Sequence, residues 1–243
     1  MTKQTKRKLA WITGASSGIG EATARRLAAQ GWIVAVSARS EDKLQELAKN
    51  FAPVDGGGSL HAYPVDVTDP EAVRNIVEKI EAELGVIDLA LLNAGTYLRD
   101  RAENFKAETF RKTYEVNVFG VANALECILP KMIARKGGQI AVVSSVAGYR
   151  GLPYSLAYGS SKAALINMCE ALAAECKAHK VKVQVVCPGF VKTPLTDKND
   201  FPMPMLMDVD DAAEKLVQGL NSNQFEITFP WLFAFLTKFL GWI

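Results

Sequence analysis

Short apolar runs alternate with longer amphipathic segments along most of this 243-residue chain. Each apolar run is bounded by turn residues and predicts a strand that is buried on both faces. The segments between the runs predict helices, and strands that alternate with helices form a mostly parallel sheet covered on both sides. A chain of this length forms one substantial core, so we expect a single domain over residues 1–243.

The alternation gives six strands and five helices in a fixed order. The predicted strands are Leu9–Thr13, Trp32–Ser37, Leu60–Val67, Ile87–Leu92, Gln139–Ser144 and Val181–Cys187. The predicted helices are Ile19–Gln30, Glu41–Asn50, Pro70–Leu84 with Asp69 as its N-cap, Ala107–Arg135 and Tyr158–His179. Because parallel crossovers are right-handed, this order predicts a doubly wound α/β sheet of the Rossmann type, with helices on both faces.

Composition argues against several other classes of protein. The net charge of +2 is too small to indicate nucleic-acid binding. Four cysteines without C-x-x-C spacing are typical of reduced thiols in a cytoplasmic protein, and two histidines without clustered partners predict no metal site. We expect residues 1–8 to form a flexible basic tail, and no apolar run long enough for a signal peptide follows it.

A glycine-rich loop connects the first predicted strand to the first predicted helix. Glycines at this place let the backbone approach a pyrophosphate, and the helix N-terminus supplies free N–H donors. The same glycines could also form a plain turn, but a strand before the loop and a helix after it are the context that a dinucleotide site requires. The predicted cofactor-binding residues of the loop are Gly14, Ser16, Ser17, Gly18, Ile19 and Gly20.

Arg39 lies just after the second predicted strand, where the choice between NAD(H) and NADP(H) is made. A carboxylate at the strand tip would hold a ribose 2′-hydroxyl, whereas an arginine can pair with a 2′-phosphate. The sequence therefore favours NADP(H) over NAD(H). The alternative is that Arg39 is an ordinary surface arginine.

Tyr158 and Lys162 are four residues apart, so both side chains project from one face of a predicted helix. The lysine ammonium is expected to lower the pKa of the phenol and make it a general acid and base. Such pairs are common on exposed helices, so the pair alone is weak evidence. Ser145 strengthens it, because it ends the fifth predicted strand at the sheet edge where ligands bind and could hold a substrate oxygen.

These residues, in this order, resemble the compact single-domain branch of the short-chain dehydrogenase/reductase family. The resemblance runs from about Leu9 to Thr196. Its six motifs are Thr13–Gly20; Asp66-Val67; Asn93-Ala94-Gly95; Asn117; Ser145 with Tyr158 and Lys162; and Pro188-Gly189 with Thr193.

The resemblance implies a set of cofactor contacts. Asp66 would bond the adenine amino group beside the Val67 backbone. Asn93, Ala94 and Gly95 would line the cofactor and steady the central sheet. The nicotinamide ring would be seated by Pro188, Gly189, Val191 and Thr193, and Lys162 would bind the nicotinamide ribose.

The resemblance also implies a catalytic set. Ser145 would position the substrate oxygen, and Tyr158 would transfer the proton. Lys162 would lower the pKa of Tyr158, and Asn117 would hold a water that links Lys162 to solvent. Leu92 stands where the family usually has a further asparagine, which we interpret as a tolerated packing change.

The C-terminal quarter departs from the family pattern. Residues 194–210 would form the substrate lid, whose prolines predict a loop and whose methionines favour an apolar substrate or packing on the body. Phe225–Pro230 replaces the glycine pair of many tetrameric members, which argues against the usual tetramer and against the common fatty-acid-synthesis ketoreductase. The apolar tail 231–243 is too short to span a bilayer, and could be a buried helix, a dimer contact or a membrane-surface anchor.

The sequence thus predicts a cytoplasmic enzyme that transfers hydride between NADP(H) and a carbonyl or alcohol. Its expected partners are a small-molecule substrate and, by analogy with the family, a second copy in a homodimer or larger oligomer. A peripheral membrane contact through 231–243 stays open. The alternative function is a non-catalytic, nucleotide-binding regulator with the same fold.

Overall fold

The computed structural model describes residues 7–52, 57–197 and 200–239. Most of the predicted basic tail, two residues of the predicted lid and the last four residues of the predicted C-terminal tail lie outside these described residues.

Seven strands form one sheet in the order β3-β2-β1-β4-β5-β6-β7, and all neighbouring strands pair in parallel. The strands are β1 (Leu9–Thr13), β2 (Ile33–Ser37), β3 (Ser59–Ala62), β4 (Leu89–Leu92), β5 (Gly138–Val143), β6 (Val181–Pro188) and β7 (Glu226–Phe229). The chain runs from β1 outward to β3 and then returns to β4 beside β1, which makes a topological switch point between these two strands. The predicted doubly wound α/β fold is confirmed.

Eight α-helices cover the sheet within the described residues. They are α1 (Gly18–Ala29), α2 (Glu41–Lys49), α3 (Pro70–Leu84), α4 (Ala107–Tyr114), α5 (Gly120–Ala134), α6 (Leu156–Cys176), α7 (Val209–Asn221) and α8 (Trp231–Phe239). Asp69 caps α3 as predicted, because its side chain accepts a hydrogen bond from the Ala72 amide at 3.0 Å.

Several predicted elements are shifted by one or two residues at their ends, and three differ in further ways. The predicted strand Leu60–Val67 ends at Ala62, although the Tyr63 and Val65 amides still donate to the Val36 and Ala38 carbonyls. The predicted helix Ala107–Arg135 is divided by a π-helical turn over Glu115–Phe119. The predicted helix Tyr158–His179 begins two residues earlier, at Leu156, and its last residues form a 3₁₀ turn.

Alternate residues of each strand enter two separate hydrophobic layers. Trp11 of β1 packs with Ile128 of α5 and Leu165 of α6 on one side of the sheet. Its neighbour Ile12 packs with Leu27 of α1 and others on the opposite side. The two layers hold the sheet between helices, so the strand ends form a fixed edge on which loops can carry side chains.

One continuous helical run, Ala107–Ala134, is long and apolar enough to cross a membrane by length and composition alone. Core helices of globular proteins pass the same test, and here Ala124 and Ile128 of α5 are buried in the hydrophobic layer that covers the sheet.

Candidate active site

A cavity of about 720 Å³ lies along the carboxyl ends of β1, β2, β4, β5 and β6. It brings together nearly all residues that the sequence predicts for the site. The predicted residues that line it are Gly14, Ser16, Ser17, Gly18, Ile19, Arg39, Asp66, Val67, Asn93, Ala94, Gly95, Ser145, Tyr158, Lys162, Pro188, Gly189, Val191 and Thr193. Gly20 and Asn117 are not in the lining, although both contact residues that are.

The glycine loop leaves no room for side chains at two positions. A Cβ on Gly14 would lie 2.7 Å from the Ala94 Cα, and one on Gly20 would lie 2.5 Å from the Gly14 carbonyl oxygen. Gly14 also has a φ of 66°, which L side chains rarely adopt. The backbone of the loop therefore packs directly against Asn93 and Ala94, which follow β4.

Asn93 joins the glycine loop to the end of β4. Its side-chain amide donates to the carbonyl oxygens of Thr13 and Gly14, both at 3.0 Å. In the other direction, the amides of Asn93 and Ala94 donate to the Thr13 hydroxyl. Leu92, which replaces a usual asparagine, is fully buried in the hydrophobic layer beside Trp11, consistent with its interpretation as a packing change.

The far end of the cavity carries Arg39 and Asp66. Arg39 is exposed at the tip of β2 and has no hydrogen-bond or ion-pair partner within the part of the chain that the structure describes. One oxygen of Asp66 accepts from both the amide and the hydroxyl of Thr68, at 3.0 and 2.8 Å. The guanidinium is thus available to an anion, and the second Asp66 oxygen to a donor.

Ser145, Tyr158 and Lys162 meet at the opposite end of the cavity. The Ser145 hydroxyl accepts from the Ala147 amide at 3.1 Å and donates to the Pro188 carbonyl at 3.4 Å. The Lys162 ammonium donates to the Val143 carbonyl at 2.8 Å and lies 5.6 Å from the centre of the Tyr158 ring. The structure thus brings the predicted catalytic side chains into one cluster.

Burial dominates the electrostatics of this cluster. It raises the pKa of Tyr158 to about 12, against the hydrogen bond from Ser145, which lowers it. It also lowers the pKa of Lys162 to about 8. The cost of burying a phenolate is larger than the opposing effect of Ser145, and the lowering of the Tyr158 pKa by Lys162 stays a prediction.

Asn117 lies in the π-helical turn between α4 and α5 and is fully buried. Its side chain accepts from the Thr96 amide at 2.7 Å and donates to the Thr96 carbonyl and the Ser161 hydroxyl, at 3.1 and 3.0 Å. It therefore joins the loop after β4 to α6 beside Lys162. Its predicted water contact stays a prediction.

Several residues that line the cavity were not predicted from the sequence. Lys112, Glu115 and Val116 line the cavity from α4 and the π-helical turn, and no local pattern marks them. Tyr149 does not line the cavity, and its hydroxyl donates to the Glu226 carboxylate of β7.

The loop after β4 (residues 96–101) contacts the start of α6. Leu98 lines the cavity, while Tyr97 packs its ring edge-on against Tyr158, with centroids 5.3 Å apart. Asp100, which the sequence did not single out, accepts hydrogen bonds from the Leu156 and Ala157 amides.

The predicted lid, 194–210, borders the cavity with Pro194, Leu195 and Thr196. It is a loop through most of its described residues, as its prolines predict, but its last two residues already belong to α7. Arg99 holds it to the loop after β4 by an ion pair with Asp200 at 2.7 Å.

The C-terminal tail forms α8, which is buried on one face only. Its inner face packs on the end of β6, where the Phe233 ring lies 5.5 Å from that of Phe190. Its single charge, Lys238, pairs with Glu226 at 2.6 Å. The exposed apolar residues of its outer face are Trp231, Leu232, Phe235, Leu236 and Phe239. The alternative of a wholly buried terminal helix is therefore wrong for the described residues.

Several known proteins have sequences similar to this chain. The sequence model of the short chain dehydrogenase family matches residues 8–202. An uncharacterized oxidoreductase of Myxococcus xanthus is 37% identical over 231 residues, which cover 95% of this chain and 90% of that protein. The 3-oxoacyl-(acyl-carrier-protein) reductase FabG of Thermotoga maritima is 36% identical, over 79% of this chain and 77% of that protein.

Solved structures have the same fold. The alcohol dehydrogenase of the archaeon Thermococcus sibiricus, complexed with 5-hydroxy-NADP, matches with a TM-score of 0.82 and 30% identity. The match covers 92% of this chain and 96% of that one.

Proposed function

This chain belongs to the short-chain dehydrogenase/reductase family, and from that premise we propose that it is an NADP-dependent enzyme that reversibly reduces a ketone or aldehyde. The observation that carries the proposal is the cluster of Ser145, Tyr158 and Lys162 at one end of the cavity whose other end is the glycine loop. A regulator that only binds nucleotide would need the loop but not this cluster.

The residues at the glycine loop fit a dinucleotide. Gly14 and Gly20 leave only backbone beside the N-terminus of α1, where N–H groups and the helix dipole favour a pyrophosphate. Arg39 is unpaired among the described residues and would hold a 2′-phosphate, which supports NADP(H) over NAD(H). The similar alcohol dehydrogenase of Thermococcus sibiricus was solved with an NADP derivative. When bound, NADPH supplies the hydride.

Tyr158 is the proposed proton donor. Its raised pKa keeps the phenol protonated at neutral pH, which is the form that gives a proton to a carbonyl oxygen. Ser145 lines the same end of the cavity as Tyr158 and would hold the same oxygen, which would stabilise the negative charge that develops there. Lys162 would bind the nicotinamide ribose, and the phenolate of Tyr158 would accept the proton in the reverse reaction, favoured by the positive charge of an oxidised nicotinamide.

An apolar carbonyl compound is the proposed substrate. Leu98, Val116 and Leu195 contribute apolar side chains to the cavity, and Leu195 belongs to the lid. The related Thermotoga maritima protein is named for reduction of a 3-oxoacyl group, which also carries an apolar chain. Assembly as a homo-oligomer and a cytoplasmic location remain part of the proposal, by analogy with the family.

Loss of NADPH absorbance with decanal, cyclohexanone and acetophenone tests the activity directly. We expect Tyr158→Phe to lower kcat by about 100- to 10,000-fold while the Kd for NADPH changes less than about twofold, because only the proton donor is lost. Tyr63→Phe is the matched control, since it removes a phenol that bonds Glu83 away from the cavity. NADPH binding without turnover of any carbonyl would instead favour the regulator.

A further inference from the structure

We propose that Asp100 is a positioning residue for Tyr158: its carboxylate fixes the first turn of α6, so that the phenol meets Ser145 and the substrate oxygen. The proposal rests on the proposed function for its catalytic consequence. It concerns a residue in the loop after β4 that lies outside the nicotinamide and glycine-loop contacts.

Asp100 is a buried carboxylate. Only 7% of its surface is exposed, and among the described residues only Asp100 and Lys162 are charged side chains in the buried class. Burying a charge is costly unless hydrogen bonds compensate for the lost water. The position of Asp100 is thus one that the fold stabilises through specific partners.

Those partners are the first amides of the helix that carries Tyr158. One carboxylate oxygen accepts from the Leu156 amide at 2.8 Å, and the other accepts from the Ala157 amide at 2.7 Å. The first N–H groups of a helix have no partner within the helix, and a negative charge there also interacts favourably with the helix dipole. Asp100 therefore acts as a cap supplied from 56 residues away in the sequence.

The local cap residue does not supply this interaction. Ser155 occupies the N-cap position and is of a type that usually caps helices, yet its side chain makes no capping hydrogen bond. The first turn of α6 therefore depends on Asp100. Substitution of Ser155 should accordingly leave that turn in place, which makes it a matched control.

The loop of Asp100 holds the same turn at further points. The Tyr97 hydroxyl donates to the Tyr154 carbonyl at 3.1 Å, and the Arg99 and Arg101 guanidinium groups lie 4.9 and 4.6 Å from the centre of the Tyr154 ring. Tyr154 has a φ of 63°, a left-handed conformation that side chains other than glycine adopt only when their surroundings hold it. These contacts keep the chain entering α6 in one conformation.

Lys162 is held independently of this loop. Its ammonium bonds the Val143 carbonyl, and its own carbonyl accepts from the buried Ser144 hydroxyl at 2.7 Å. Loss of the Asp100 cap should therefore displace Tyr158, which directly follows the two capped residues, more than Lys162. The predicted signature is a loss of proton transfer with cofactor binding retained.

Asp100→Ala, Asp100→Asn and Ser155→Ala test the proposal with NADPH and the carbonyl of the panel that wild type reduces fastest. We expect Asp100→Ala to lower kcat by about 10- to 100-fold and to raise the solvent deuterium isotope effect on kcat, because a displaced donor makes proton transfer slower. Asp100→Asn keeps one acceptor oxygen and should be intermediate. Ser155→Ala should match wild type, and all four proteins should bind NADPH with Kd values within about twofold.

Hydrogen exchange gives a second, substrate-independent measurement. With NADPH bound, exchange of the Leu156–Tyr158 amides should accelerate about tenfold in Asp100→Ala and less in Asp100→Asn, but not in Ser155→Ala. An unchanged isotope effect, with kcat falling only in proportion to the folded fraction, would overturn the positioning role. Equal exchange rates of these amides in Asp100→Asn and wild type would overturn the cap itself. Asp100→Asn also replaces Asp100→Ala in the test if Asp100→Ala does not fold.

The two proposals fail in different ways. If wild type reduces none of the carbonyls, the proposed function fails, while the exchange measurement still decides whether Asp100 fixes the start of α6. If wild type is active and Asp100→Ala behaves like Ser155→Ala, only the role of Asp100 fails.

Discussion

Burial moves the pKa values of Tyr158 and Lys162 in opposite directions, and in both cases it favours the neutral form. A neutral phenol is ready to donate a proton, which supports the proposed reduction of a carbonyl at neutral pH. Oxidation of an alcohol needs the phenolate, so its rate should rise as the pH increases towards the raised pKa of Tyr158.

The lowered pKa of Lys162 makes stability depend on pH. The unfolded lysine keeps its proton up to about its ordinary pKa of 10.5, whereas the folded protein releases it near 8. The unfolded state therefore binds more protons between these values, so the contribution of Lys162 to stability rises with pH there. The free energy of unfolding of wild type relative to Lys162→Met should increase by about 2 kcal/mol between about pH 7 and about pH 9.5.

Chemical denaturation of both proteins across this range measures that difference. Groups that titrate in both proteins cancel in the comparison, so only the lysine contributes. A difference that stays constant with pH would show that the folded protein does not lower the pKa of Lys162.

Arg39 is the residue on which the predicted cofactor preference depends. Arg39→Asp should weaken NADPH binding and favour NADH, because a carboxylate repels the 2′-phosphate and can accept from a ribose hydroxyl. The Kd values of both cofactors, measured by fluorescence titration, provide the test. If their ratio is the same in mutant and wild type, Arg39 does not select the cofactor.

Among the structural elements, the loop after β4 has contacts on two sides. Tyr97 and Asp100 hold the start of α6, while Arg99 pairs with Asp200 of the lid. The loop after β4 therefore links the lid to α6, the helix that carries Tyr158. An ion pair at this place can influence how the lid closes over substrate without touching the reacting atoms.

Arg99→Ala should raise the KM for the carbonyl substrate several-fold with little change in kcat or in the Kd for NADPH, because it frees the lid and leaves the catalytic cluster intact. Arg25→Ala is the control, since it removes a comparable ion pair, with Glu21 on α1, that lies outside the cavity lining. Equal KM values in the two variants would show that the Arg99–Asp200 pair does not hold the lid.

For the whole molecule, α8 carries more exposed large apolar side chains than any other described helix. Its outer face presents five apolar side chains, and its only charge is paired with Glu226. Helices that lie on membranes usually carry free basic residues on the polar face. This pattern favours a second copy of the chain over an anionic lipid surface as the partner of α8.

Phe235→Glu should therefore lower the average mass in sedimentation equilibrium, because it places a charge in the centre of the apolar face. Val86→Glu changes an exposed apolar residue of similar accessibility before β4 and should leave the mass unchanged. An unchanged mass for Phe235→Glu would contradict the dimer contact. If wild type binds phosphatidylcholine vesicles and Phe235→Glu does not, α8 contacts a membrane instead.

Particular features show how far the sequence alone determines this protein. The period of the apolar runs predicts β1, β2, β4, β5 and β6, because strands buried on both faces need continuous apolar sequence. β7 and α7 were not predicted. β7 is a short edge strand whose burial depends on β6 beside it. The glycine loop and the Ser145, Tyr158 and Lys162 cluster were predictable because their function needs fixed residue types at fixed spacing.

Only the tertiary structure decides the interactions between residues that are far apart in the chain. The Asp100 cap, the Asn117 bonds to Thr96 and Ser161, and the raised pKa of Tyr158 have no local signature. Each depends on how deeply a group is buried and on which loop reaches it. Sequence spacing specifies neighbours within one element, whereas burial and long-range hydrogen bonds exist only once the sheet has brought those elements together.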